Sequence, residues 1–178
     1  MDNAVESLEY YDYRPAVTER IDDWSADFPI EAYNDDVVTQ PSRSLLVFQG
    51  RIEVTKDEQI TILTDITNKV ELVFNGILQV FDRIEYQLAN TKIDSISRPG
   101  VATTMKGIAS YSRINHLNDA GWCFNYKESP VFDKTGLFHI TIPLSILFGV
   151  MEDYKGYIYR MLQKLVFTKH PSLSLIHI

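Results

Sequence analysis

The sequence is poor in the residues most functional sites are built from. Cys123 is its only cysteine, which excludes an internal disulfide and any multi-cysteine zinc or iron–sulfur site. The four histidines, His116, His139, His170 and His177, form neither a His-x-His pair nor a His-Glu-x-x-His, so a preformed metal centre lacks its ligands. His139 falls on the outward row of a strand-like run, His116 falls in a loop, and Cys123 in GWCFNY reads as a small buried hydrophobe. There is no Gly-x-Gly-x-x-Gly, phosphate-binding loop, Gly-x-Ser-x-Gly elbow or calcium loop. The acid pairs Asp22-Asp23, Asp35-Asp36 and Glu152-Asp153 are adjacent in sequence, whereas a glycosidase needs two acids facing across a cleft. These absences favour a structural or binding protein over an enzyme, with no cofactor, metal or small-molecule substrate.

Long apolar runs are also missing. The nearest, residues 142–151, is too short to span a bilayer and contains Pro143, Ser145 and Gly149. The N-terminus is acidic from Asp2 onward and has no basic n-region or apolar h-region, so the expectation is a soluble chain without a secretory signal, made inside a cell and with no membrane partner. Lys and Arg are nowhere clustered, which argues against direct nucleic-acid binding.

What is present is a chain of 178 residues, 45% hydrophobic and 23% charged, with ten Tyr, nine Phe and two Trp. Its length suits one domain with a core of its own, and its aromatic and β-branched content favours strands. The net charge of −7 is unevenly placed: residues 1–40 hold 11 acids and only Arg14 and Arg20, a balance of −9, leaving the rest at +2. Residues 1–40 therefore read as an acidic, mobile arm, residues 41–170 as the folded domain, and 171–178 as an atypical tail. The arm is either a solvated tail or a docking segment; Tyr10, Tyr11, Tyr13 and Trp24 favour docking, because aromatic anchors are enriched at interfaces.

Periodicity gives a coarse structure. SLLVFQGRIEV (44–54) alternates with Leu46, Phe48, Ile52 and Val54 on one face, and Gly50 on that row predicts a bulge or close packing. Ile60 and Ile62 continue the pattern after a polar turn. RIEYQL (83–88) alternates and leads through ANTK into IDSI as a hairpin, and LFHITI (137–142) forms another strand that Pro143 ends. A short amphipathic helix follows Pro99-Gly100, with Val101, Met105, Ile108 and Ala109 at helical spacing; Pro99 and Gly100 form its turn and start. Two stretches stay ambiguous: residues 70–81 have helical spacing at Val70, Phe74, Ile77 and Phe81 but a turn signal, Asn75-Gly76, in the middle, and residues 157–167 fit either a helix or a strand. The pattern predicts an all-β, antiparallel jelly-roll β-sandwich with one or two short helices in loops.

RIEYQL (83–88), SRPGVATTMKGI (97–108) and IPLSILFGVMEDY (142–154), preceded by SLLVFQGRIEV, resemble in content, order and spacing the double jelly-roll major capsid proteins of Polinton (Maverick) elements and adintoviruses. The likeness covers about residues 37–168. It implies the first of two side-by-side jelly rolls, assembling as homotrimers into an icosahedral virion shell, and makes residues 157–167 a late strand. Family members continue into a second jelly roll, whereas PSLSLIHI (171–178) differs from that continuation, which points to a fragment, a broken frame or a degenerate endogenous viral element. A lone first jelly roll is expected to expose the face that meets the second and to associate. Phe148, Gly149, Glu152, Asp153 and Tyr154 have two readings: a structural corner turned by Gly149, with Tyr154 packed on the sandwich, or a subunit contact whose acids pair with a neighbour's Lys or Arg. The alternatives from other classes are a carbohydrate-binding or other interaction β-sandwich module, with surface aromatics as its platform, and a metal-holding cupin-like enzyme.

Overall fold

The computed structural model describes residues 8–14, 25–30, 37–51, 53–56, 59–62, 74–110, 120–122 and 137–170. The strands within them are β1 (Ser25–Ile30), β2 (Val38–Thr39), β3 (Leu45–Arg51), β4 (Glu53–Lys56), β5 (Gln59–Ile62), β6 (Phe81–Leu88), β7 (Thr91–Ser97), β8 (Leu137–Pro143), β9 (Ile158–Tyr159) and β10 (Gln163–Lys169). The helices are α1 (Gly76–Gln79), α2 (Pro99–Ser110), α3 (Leu144–Leu147) and α4 (Gly149–Asp153). Every ladder is antiparallel: a four-stranded sheet in the order β1-β10-β6-β7, and the ribbons β2-β9, β3-β8 and β4-β5.

The main sheet and the β3-β8 ribbon are the two layers of a sandwich. Period-2 alternation turns Ile84 and Tyr86 of β6 and Leu165 and Phe167 of β10 into the same core that receives Leu46, Ile140 and Ile142 from the ribbon. An aromatic cluster bridges the layers. Phe48 meets Phe81 at 5.8 Å and Phe167 at 6.5 Å between ring centroids, while Phe81 and Phe167 stand edge to face at 5.2 Å. Each such pair adds ~0.5–1.5 kcal/mol beyond the area it buries.

Local chemistry sets the connections. Ala89 and Asn90 both have positive φ (48° and 62°), the two-residue turn whose twist matches a β-hairpin, so they close β6 onto β7 within the polar run that predicts a hairpin there. Gly50 lies opposite Phe138 across the β3-β8 ladder, and a Cβ there would come within 2.6 Å of the Phe138 ring; close packing is the reason for that glycine. Asn75, at φ 54°, turns the chain into α1.

Four expectations need correction. The sandwich begins inside the segment assigned to the acidic arm: Ser25–Ile30 pairs with β10, Phe28 stands 5.1 Å from Phe167, and Asp27 forms an ion pair with Lys164. A partner cation on the sheet makes the acid compatible with a strand, which charge counting alone does not register. The run 44–54 is not one strand, because β3 pairs with β8 while β4 pairs with β5. The run 157–167 is strand at both ends but broken at Arg160 (φ 51°), so Gln163, Leu165 and Phe167 are buried while Tyr157, Tyr159 and Met161 face solvent. Helix α2 is present, yet it buries Pro99, Gly100, Thr103 and Gly107 and exposes Val101, Met105 and Ile108. Trp24, Ile52, Val70, His116, Cys123, His177, the pairs Asp22-Asp23 and Asp35-Asp36, and the tail 171–178 lie outside the described residues.

Candidate interaction surface

Helix α2 is entered through Arg98, whose backbone is left-handed (φ 46°) and whose N–H donates to Asp82 O at 2.6 Å. Pro99 takes the first helical position, where its missing N–H costs nothing. Gly100 faces α1 so closely that a Cβ would lie 2.8 Å from the backbone nitrogen of Gln79. The inner face of α2 is thus made of small residues because it packs against backbone and an indole. Asn75, fully buried, fastens it: its Nδ2 donates to Gly100 O (3.0 Å), Thr103 Oγ1 (2.8 Å) and Thr104 Oγ1 (3.0 Å), while the two threonines donate back to Pro99 O and Gly100 O.

Two further polar contacts tie α2 and β7 to the segment after β8. Lys106 Nζ donates to Ser145 O at 3.0 Å, at the open carbonyl end of α3, and pairs with Glu152 Oε2 at 2.6 Å. Asp94 on β7 accepts the Val150 N–H at 3.1 Å through Oδ2, capping α4, and the Ser95 N–H at 2.8 Å through Oδ1. Beneath them Leu144, Ile146, Leu147, Phe148 and Met151 are buried, with Phe148 6.1 Å from the ring of Tyr86. Full burial of one such side chain is worth ~1.5–3 kcal/mol. The three segments singled out in the sequence, 83–88, 97–108 and 142–154, therefore build one closed end of the sandwich.

Phe148 is core. Gly149 is exposed, has no positive φ, and a Cβ on it would meet only Asp94 Oδ2 at 3.9 Å. The corner is made by Pro143, where β8 ends and α3 begins, and by the Asp94 cap, so Gly149 does not provide it. Glu152 is held within its own chain by Lys106, and Asp153 is exposed. Tyr154 is 46% exposed, its ring folds over Gly156 and its hydroxyl donates to Tyr157 O at 3.0 Å. Tyr10 and Tyr11 are exposed and Tyr13 is half-buried. The Tyr11 hydroxyl donates to Glu9 at 3.1 Å, and that hydrogen bond to the carboxylate, followed by its charge, raises the tyrosine's pKa. Sequence reasoning missed Asn75, Asp94 and Lys106; the Asn-Gly signal was legible as a turn, but nothing local announces long-range partners. His139, exposed, shares a 3.0 Å contact between its Nδ1 and Gln49 Nε2. Among the described residues, no cluster of three His, Cys, Asp or Glu could hold a metal ion, and no helix is long and apolar enough to cross a membrane.

A second polar network lies behind this surface. The Tyr86 hydroxyl donates to Gln163 Oε1 at 2.8 Å, and Gln163 Nε2 donates to Thr39, joining the main sheet to the β2-β9 ribbon. Burial, with a smaller contribution from the charge of Tyr154, pushes the Tyr86 pKa up to about 12.

A family model described as a double jelly roll-like domain matches residues 70–171, more than half of the chain. The chain belongs to the double jelly roll-like domain family. The matched span runs from just before Asn75 to just past β10 and contains the junction of α2, α3 and α4. Comparison with curated proteins and with solved structures finds no match.

Proposed function

We propose that this double jelly roll-like chain is a shell-building unit: the first jelly roll of a major capsid protein of the Polinton or adintovirus type. It would be completed by a second jelly roll and assemble as homotrimers in a virion, after synthesis inside the host cell. One observation carries the reading. Lys106, Asp94 and Asn75 each join segments of the closed end, to α3 and Glu152, to α4 and to α2 respectively, while the outward face of α2 carries the exposed Val101, Met105 and Ile108. That is the disposition of a rigid block that meets other protein surfaces, and the role requires neither a cofactor nor a substrate. Sedimentation velocity of the full chain, with negative-stain imaging, tests it: trimers or larger closed assemblies support the reading, and a monomer at tens of micromolar refutes it.

The acidic arm is part of this proposal, lying along a neighbouring unit. Because β1 belongs to the main sheet, a deletion that tests the arm must stop at residue 24. Assembly that proceeds equally well without residues 1–24 would return the arm to a solvated tail.

The carbohydrate-binding alternative depends on the exposed Tyr154, Tyr157 and Tyr159. One face of the Tyr154 ring is covered by Gly156, and the Arg160 guanidinium lies 5.3 Å from the centroid of Tyr159. Two of the three rings thus already have one face occupied, which disfavours a flat stacking platform. Binding on a glycan array without self-association would reverse that preference.

A further inference from the structure

The main sheet has two outer strands, β1 and β7, and among the described residues no further strand pairs with either. An open edge presents N–H and C=O groups on which a strand of another chain can form. The register fixes which groups these are, because bonded and non-bonded residue pairs alternate along an antiparallel ladder. Arg98 N–H donates to Asp82 O, so the next bonded pairs are Ile96 with Ile84 and Asp94 with Tyr86, and Ser95 and Ser97 turn their backbone groups away from β6. Ala89 N–H donates to Leu162 O at 2.8 Å, and the same alternation turns Lys164, Val166 and Thr168 toward β6 and Gln163, Leu165 and Phe167 toward β1. Their partners Ile30, Phe28 and Ala26 face β10, which leaves Asp27 and Pro29 with backbone groups on the open side.

Each open side lacks a free donor where an added strand would bond. On β1 that residue is Pro29, whose nitrogen carries no hydrogen, and it sits at the outward-facing position that an edge strand can give to proline. On β7 the Ser95 N–H is already donated to Asp94 Oδ1 at 2.8 Å, and Oδ2 of the same carboxylate accepts the Val150 N–H at 3.1 Å, which anchors it on α4. A carboxylate holds an N–H about twice as strongly as a neutral carbonyl does, so the carbonyl of an incoming strand does not displace it. The register also slips between Tyr86 and Gln87, leaving Ile93 without a partner on β6, and the neighbouring Lys92 is exposed. A bulge and a charged side chain both blunt an edge.

We propose that Pro29 and Asp94 close the two edges of the main sheet against strand addition by a second copy. Pro29 acts by having no donor, Asp94 by occupying one. Any self-association of the chain then proceeds through side-chain surfaces and leaves the backbone of β1 and β7 unpaired on its outer side. The closure does not depend on the shell reading, since it concerns which groups are kept from pairing, whatever the chain builds.

Amide hydrogen exchange of the full chain, read residue by residue at low and high protein concentration, tests the closure. In the wild type the outward N–H groups of Asp27 and Ser97 should exchange equally fast at both concentrations, while those of Phe28 and Ile96, bonded within the sheet, stay slow. Pro29→Val restores a donor on β1, and Asp94→Ala frees the Ser95 N–H. At high concentration each should slow exchange several-fold on its own edge, at positions 27 and 29 in the first case and at Ser95 and Ser97 in the second. Tyr86→Phe, which weakens the fold away from both edges, should leave them unprotected. Concentration-dependent protection of Asp27 or Ser97 in the wild type would overturn the proposal, and so would folded variants that stay unprotected at their edges or equal protection in Tyr86→Phe; the wild-type result decides by itself where a variant fails to fold. Sedimentation of the same samples separates the two claims. Wild-type oligomers protected at Asp27 or Ser97 sink the edge closure alone, whereas a monomeric wild type whose variants pair at their edges sinks the shell reading alone.

Discussion

The backbone of Gly107 lies directly beneath the Trp122 indole, so close that a Cβ on Gly107 would overlap Cη2 and Cζ3 of the ring. Trp122 is buried and also packs on Phe74 at 5.1 Å, so it has nowhere to retreat. Glycine in a helix interior ordinarily costs ~1 kcal/mol relative to alanine, and here the close approach outweighs that cost.

Gly107→Ala should therefore destabilise the protein despite its better helix propensity, by a net of up to ~2 kcal/mol once overpacking of ~1–3 kcal/mol is set against the ~1 kcal/mol propensity gain. Gly149→Ala, with open space around it, should be neutral or stabilise by up to ~1 kcal/mol. Urea denaturation of both variants checks the contrast.

Asp94→Ala removes the acceptor that caps α4 from a neighbouring strand. A stability loss of ~0.5–2 kcal/mol is expected, as for other helix caps, with faster amide exchange at Val150 and unchanged exchange in β10. Protection lost evenly throughout the chain would argue against a local cap.

Tyr86→Phe should cost ~1–2 kcal/mol, because it leaves the buried Gln163 carbonyl without a donor. The same residue gives a pH signature. Its folded pKa, raised to about 12 from the ordinary tyrosine value of 10.0, means that its contribution is complete below pH ~10 and is lost as pH rises from there through ~12, at up to ~1.4 kcal/mol per pH unit. Between pH 9 and 11 the wild type should lose more stability than Tyr86→Phe; parallel losses would place the effect on other tyrosines.

Glu152 separates the two readings of the 148–154 segment. Its side chain is half exposed, so the ion pair with Lys106 is worth at most ~1 kcal/mol, and Glu152→Gln should change stability little. Lys106→Met, which also abandons the α3 carbonyls, should cost more. If Glu152→Gln leaves folding intact but lowers self-association, its carboxylate serves a subunit contact; unchanged association assigns it to the chain's own corner.

Much of the sandwich was legible because alternation reports burial directly: Leu46 and Phe48, Ile84 and Tyr86, and Ile140 and Ile142 all face the core as their spacing predicts. Strand β1 is hidden in the sequence because Asp27 reads as one more acid of the arm, while Lys164, which forms an ion pair with it, lies far away in the chain. Helix α2 was legible in position and inverted in orientation, since hydrophobic spacing favours burying Val101, Met105 and Ile108, whereas the neighbouring indole and α1 admit only glycine and threonine. The surface at the closed end needed the fold itself, because the bonds from Asn75, Asp94 and Lys106 each span more than twenty residues.

The central claim, that this double jelly roll-like chain builds a shell, is tested most directly by sedimentation velocity of the full chain from one to fifty micromolar. The account predicts a concentration-dependent shift from monomer to trimer and larger species. A single monomeric boundary across the whole range would contradict it.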